Sequence, residues 1–286
     1  MKDFKSLYFF TIINFNYLED LFLQRSSRRL FNEVTLIILG IIQGVIEWIP
    51  ISSSGTLMLF MIRLLGLELS EALDLSIFLH IGTGAAALTY FRKDVRSILF
   101  KKTERILLNY LVISTIITGS FGLCLYLIFN KMGLQGEYLT VLIGFALILN
   151  GILQKSTHVT SMRGHQSLTY EEGILMGLVQ GLSIIPGVSR SGITTSALIF
   201  KGFSASEALR ISFLMSIPTI FASSIGLALI RGISEFSLGS LIISTVASFL
   251  SGRLSMGILL RIACRIRFWL FCMVLGLIAM IPLLFH

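Results

Sequence analysis

The stretches 43-QGVIEWIPISSSG-55 and 180-QGLSIIPGVSRSG-192 share an unusual mixture of Gln-Gly, proline, serine and glycine inside apolar surroundings. Sliding the sequence on itself so that Gly40 lies on Gly177 also lays Gln43 on Gln180, Gly44 on Gly181, Ser52 on Ser189, Ser54 on Ser191 and Gly55 on Gly192. A register one residue shorter lays 70-SEALDLSIFLHIGT-83 over 206-SEALRISFLMSIPT-219, matching Ser-Glu-Ala-Leu, Ser76 with Ser212, Ile81 with Ile217 and Thr83 with Thr219. The chain reads as one domain, residues 33–286, made of two copies of one unit, 33–160 and 170–286.

Around these motifs the 286-residue chain is 55% hydrophobic and 13% charged, with a mean hydropathy of +0.87. Soluble proteins average about 25% charged residues. Uncharged runs such as Ile106–Phe129, Tyr138–Gln154, Ile211–Ile230, Phe236–Gly252 and Phe268–Phe285 approach the roughly 20 residues that span a bilayer as helix. The fold class is therefore an all-α polytopic membrane protein. The formal charge of +8 does not point to nucleic acid, because the cations sit in short clusters between apolar runs rather than along one polar face. Cys124, Cys264 and Cys272 lie in or beside apolar segments without a C-x-x-C spacing, and His158 and His165 lack ligand-like neighbours, so no zinc site is expected. Residues 1–32 interrupt an apolar stretch with Asn14, Asn16, Glu19 and Asp20 before Arg25, Arg28 and Arg29, and read as an interfacial extension.

Pro50 with Ser52–Gly55, and Pro186 with Gly187 and Ser189–Gly192, are poor helix interior. Each unit then reads as a broken segment that enters the bilayer, turns and leaves on the same side, followed by three spans; such backbone survives at membrane depth only when buried in protein or lining a polar cavity. An odd number of crossings inverts the second unit. Charge supports that reading: placing the basic connection 92–105 in the cytoplasm brings Lys155, Arg163, Arg261, Arg265 and Arg267 there, while the opposite connections 66–72, 130–138 and 231–237 carry only Lys131 and Arg231 as cations. Arg25–Arg29 fall on the outer side in this count.

Inverted repeats with broken helices place a site where the breaks meet, with helix N-termini turned toward anions. Arg190 is a lone fixed charge in an apolar neighbourhood, suited to phosphate or carboxylate. Ser189, Ser191, Thr194 and Thr195 add hydroxyls. Glu47 stands alone in a run uncharged from Val34 to Ile62, beside Ser52, Ser53 and Ser54, and is the candidate base for a serine or a water, with Arg190 holding a transferred phosphoryl group. Plainer readings stand beside these. Glu47 and Arg190 can be an ion pair locking the repeats together, the serines can be small packing residues, His80 can be a hydrogen-bonded core histidine, and Gln43 and Gln180 can satisfy loop backbone.

The first motif, with 186-PGVSRSGIT-194, resembles the two signature motifs of the undecaprenyl-diphosphate phosphatase family, the membrane enzymes linked to bacitracin resistance; the likeness runs from about residue 33 to the C-terminus. It implies removal of the terminal phosphate of a polyprenyl diphosphate, recycling a lipid carrier for cell-envelope polymers, in the plasma membrane with a pocket opening to the outer face. By position it makes Glu47 the acid, Ser53 a nucleophile, Arg190 the phosphate-binding arginine, and Ser52, Ser54, Thr56, Ser189, Ser191 and Thr194 the surrounding hydroxyls. It also implies a divalent cation, Mg2+ or Ca2+, contacting Glu47. Two positions depart from the family pattern: Gln43 replaces a common Glu, and Thr56 stands where the family often has histidine. Three outcomes stay open, namely that His80 substitutes, that Ser53 attacks with Glu47 as base, or that the chemistry is slow or altered. The expected partners are the polyprenyl diphosphate and the bilayer, and a homodimer is left open. A rival from another class is a transporter or flippase for a phosphorylated polyprenyl lipid; a third is a member that binds the lipid without turnover.

Overall fold

A computed structural model describes residues 33–49, 52–63, 65–67, 69–132, 136–156, 163–185, 187–231, 237–262 and 268–280. The 1–32 extension, Pro50, Pro186, His158 and most of the 261–267 basic connection lie outside the described residues. Within them the secondary structure is helical, apart from one isolated bridge between Arg163 and Phe203.

The first unit contributes α1 (Glu33–Ile46), α2 (Ser53–Arg63), α3 (Leu69–Tyr90), α4 (Arg92–Phe100), α5 (Arg105–Met132) and α6 (Gly136–Lys155). The second contributes α7 (Tyr170–Gly181), α8 (Arg190–Phe200), α9 (Ala205–Arg231), α10 (Leu238–Ile262) and α11 (Phe268–Met280). Among the described residues four stretches, Glu71–Tyr90, Lys102–Ile128, Ala205–Leu229 and Leu238–Ile258, are long and apolar enough to cross a membrane. Their outward faces carry large apolar side chains such as Leu229 at 81% and Leu254 at 77% exposure, a surface that water would not tolerate and lipid does. The protein is a multi-pass membrane protein. Three full spans per unit were expected; α6 and α11 are shorter than the other spans in their described parts.

Both motif segments are broken as the proline and glycine content predicts, α1 from α2 and α7 from α8. The α7–α8 pair enters and leaves on one face. Arg163, just before α7, donates its backbone N–H to Gly202 O (3.0 Å) and Nη1 to Lys201 O (2.7 Å), beyond the end of α8. It also pairs with Glu172 (2.9 Å), which closes a capping box with Thr169 at the start of α7. On the same face Arg210 of α9 binds Asp94 of α4 (2.6 Å), and His165 sits between Glu104 and Glu207 (3.3 and 2.8 Å). The starts of α5, α7 and α9 and the end of α8 thus converge beside the basic connection. That connection holds a helix not anticipated from the sequence: α4 buries Ile98 while leaving Arg92, Lys93 and Arg96 exposed.

Small residues let the helices approach. Gly40 and Gly44 press α1 onto the α10 backbone around Ser244–Gly252, and their counterparts Gly177 and Gly181 press α7 onto α5 at Ser114–Phe121. In the same way α11 lies on α6 through Gly276 and Gly151. A Cβ at Gly44 would sit 2.5 Å from Ser248 O and 2.6 Å from Gly252 N, whereas one at Gly239 would meet nothing within 4 Å. Gly44→Ala is therefore expected to lower the midpoint of thermal unfolding in detergent, at a cost of about 2 kcal/mol, and Gly239→Ala not to; equal midpoints would contradict the α1–α10 contact.

Candidate functional site

The two breaks are built alike. Ser52 Oγ accepts from Gly55 N at 3.1 Å and so caps α2; Ser189 Oγ accepts from Gly192 N at 3.1 Å and caps α8. The serine–glycine identities of the repeat are thus the two ends of one capping bond. Gly55 lies against Gly187, where a Cβ on Gly55 would come within 2.6 Å of Gly187 N. Gly187 has φ +99° and is itself pressed on the Ile143 carbonyl of α6, a position only glycine fits. The loops therefore touch, and the N-termini of α2 and α8 arrive side by side.

Glu47 continues α1 by one residue, its N–H bonded to Gln43 O (2.9 Å), and is held in place by Trp48, which is fully buried edge-on to Phe213 of α9 at 5.4 Å. One carboxylate oxygen, Oε1, accepts from Arg190 Nη2 at 2.6 Å. The other, Oε2, accepts from Ser53 Oγ at 2.6 Å and Gln43 Nε2 at 2.8 Å, with His80 Nε2 at 3.5 Å. The pair is deeply placed, with side-chain exposures of 3% for Glu47 and 14% for Arg190. His80 Nδ1 lies 2.6 Å from Ser76 O. A carbonyl only accepts, so Nδ1 donates to it, and Nε2 is the ring nitrogen turned toward Glu47. Among the described residues, the buried Arg190 Nε, Gln43 Oε1 and Trp48 Nε1 have no hydrogen-bond partner.

These groups wall one end of a cavity of about 410 Å3. Glu47, Ser53, Ser54, His80, Ser189, Arg190 and Ser191 face it. Gln43, Ser52, Thr56 and Thr194 do not line it. Gln43 stands behind Glu47, Ser52 is spent as a cap, and Thr194 Oγ1 bonds Arg190 O and Ser212 Oγ, both at 2.7 Å. Thr56 Oγ1 is buried without a partner. Gln43 and Gln180 do not serve loop backbone with their amide nitrogens: Gln43 Nε2 goes to Glu47, and Gln180 Nε2 goes to Thr219 (2.6 Å) and Thr118 (3.2 Å). Ser76, Thr118 and Thr219 escaped sequence reading because their places depend on α3, α5 and α9 packing together. The one available signal was the alignment of Ser76 and Thr83 with Ser212 and Thr219 in the repeat.

A buried pair broken from one side leaves an uncompensated charge, costing about 3–5 kcal/mol. Arg190→Met should therefore destabilise the protein in detergent more than the double variant Glu47→Gln/Arg190→Met does. A double variant no more stable than Arg190→Met would show that Glu47 finds its compensation elsewhere.

A profile of the family described as bacitracin resistance protein BacA matches residues 36–281. A protein named undecaprenyl-diphosphatase from Methanococcoides burtonii is 38% identical over 263 residues, covering 86% of this chain and 97% of its own. Proteins of the same name from Methanothrix thermoacetophila and Saccharolobus islandicus are 37% and 40% identical, over 85% and 75% of this chain and 94% and 83% of theirs. With a match of that extent across both motifs and nearly all the described helices, the chain belongs to the bacitracin resistance protein BacA family.

Proposed function

We propose that this protein hydrolyses a polyprenyl diphosphate of the undecaprenyl type to the monophosphate and inorganic phosphate, recycling the lipid carrier. The observation that carries the reading is the donor arrangement at the cavity end. The buried Arg190 Nε lacks a partner, two helix N-termini converge, and both lie beside a serine whose hydroxyl is already bonded to a carboxylate. A terminal phosphate set against Arg190 and the α8 N-terminus would take up the unpaired donors, with Ser189 and Ser191 beside it. Ser53 Oγ would attack phosphorus as its proton passes to Glu47 Oε2; the bridging P–O bond breaks and the prenyl monophosphate leaves. Water then attacks the phosphoserine, releasing inorganic phosphate and restoring Ser53. His80 shares Glu47 Oε2 and faces the cavity, whereas Thr56 does not, which supports His80 as the histidine serving this site.

We infer that the divalent cation implied by the family resemblance would sit at Glu47. The Glu47 carboxylate lines the cavity, and Mg2+ typically takes one or two carboxylates and completes its shell with phosphate oxygens. Glu47 would hold it, and it would neutralise phosphate charge; among the described residues no group of three or more His, Cys, Asp or Glu could hold a metal ion, so phosphate oxygens and water would complete its shell.

We read the two units as inverted repeats and the cavity as opening outward. The exchanged contacts support the repeat: α1 packs on α10 as α7 packs on α5. The cavity reaches Leu73, Tyr126 and Leu227, toward the helix ends away from the basic face, and basic faces are cytoplasmic.

In detergent, where no sidedness remains, wild-type protein should release phosphate from undecaprenyl diphosphate. Glu47→Gln, Ser53→Ala and Arg190→Ala should each lower kcat/KM at least ~100-fold, His80→Gln about 10-fold or more, and Thr56→Ala less than about threefold. Wild-type turnover in Ser53→Ala would transfer the attack to another group. Wild-type turnover in Glu47→Gln would remove the base.

A further inference from the structure

The cavity continues away from the charged end between α5 and α9. These helices touch at Tyr110 Oη and Met215 Sδ (3.4 Å) and are bridged one level on by Gln180, which reaches Thr118 and Thr219. At that bridge and beyond it they leave room: a Cβ built on Gly119 of α5, next to Thr118, or on Gly226 of α9, two turns past Thr219, meets nothing within 4 Å among the described residues, although both glycines line the cavity. On the other side α3 is tied to α9 through Ser224 Oγ and Ile77 O (3.5 Å) and through Gly84 against Ile220.

The hydroxyls at the bridge level look suited to phosphate but are not. Thr118 donates to Gly177 O, Thr219 to Met215 O, Ser183 to Gln180 O and Ser223 to Ile220 O. Their protons are spent on backbone, so they offer the cavity only lone pairs, and the buried Gln180 Oε1, also an acceptor, has no partner. A ring of acceptors repels a phosphate dianion and confines it to the Arg190 end. Alongside and past the ring the lining includes Gly119, Leu123, Tyr126, Gly226 and Leu227. Along α5 and α9 the stretch from Thr118 to Tyr126, or Thr219 to Leu227, rises about 12 Å at 1.5 Å per residue. A cavity of about 410 Å3 cannot enclose an undecaprenyl chain, so whatever lipid enters must continue out of it.

We propose that Gly119 and Gly226 form a track for the isoprenoid chain of the substrate and set which chains the enzyme accepts: absent side chains at these two positions let the hydrocarbon pass from the phosphate end to the bilayer. This rests on the phosphatase reading above and deepens it by naming the residues that recognise the lipid. Gly119 and Gly226 are specificity positions, remote from the reacting phosphorus.

The test uses full-length protein in detergent, with phosphate release measured from undecaprenyl diphosphate and from geranyl diphosphate on the same preparation. A partly misfolded sample then cancels in the ratio of the two kcat/KM values. Gly119→Leu and Gly226→Leu should each lower the undecaprenyl-to-geranyl ratio at least ~10-fold, and Gly226→Ala should lower it less. A ratio within about twofold of wild type in both leucine variants would overturn the track while leaving the phosphatase reading intact. Failure of wild-type protein to release phosphate from either substrate would overturn both.

Discussion

The structure depends on one contact between charges at the centre of an apolar protein, the 2.6 Å pairing of Arg190 with Glu47. Neither residue could be kept in its own half alone, because an unpaired charge in hydrocarbon is costly. Each sits at a helix break, and each break needs its backbone satisfied from outside the helix. The solution is reciprocal. Ser52 and Ser189 cap the restarting helices, Gly55 and Gly187 let the two loops lie in contact, and the carboxylate of one break answers the guanidinium of the other. The ion pair read as a lock and the ion pair read as a site are one object. Glu47 Oε1 is committed to the arginine, while Oε2 gathers Ser53, Gln43 and His80.

That arrangement leaves donors on one side of a cavity and spends them on the other. Arg190 Nε and the α8 N-terminus remain for an anion, while Thr118, Thr219 and Ser223 have turned their protons to backbone carbonyls. A diphosphate with a hydrocarbon tail matches such a polarity gradient at both ends. The family to which the chain belongs includes relatives named undecaprenyl-diphosphatase, and the site geometry suits that chemistry.

Much of this is legible in the sequence because polar residues in apolar runs are rare and each needs a reason. The breaks, and Glu47 with Arg190, were readable for that cause. Less legible was the division of labour among like residues. Ser52 and Ser53 are neighbours of one type, yet one caps a helix and the other bonds the carboxylate; the choice is made by where the helix restarts. Thr194 belongs to the motif but turns inward to Ser212, a partner supplied by packing on α9. His80 reaches Glu47 only because α3 lies beside the first break, and the α4 helix was hidden in a connection whose charge drew more notice than its Val95–Ile98 periodicity.

The central claim is that Arg190, paired with Glu47, holds a phosphoryl group between the two helix N-termini. A structure of the wild-type protein bound to a non-hydrolysable methylene diphosphonate would test it most directly. The account predicts a phosphonate within hydrogen-bonding distance of Arg190 Nε and Ser189 or Ser191. A phosphonate bound elsewhere would contradict it.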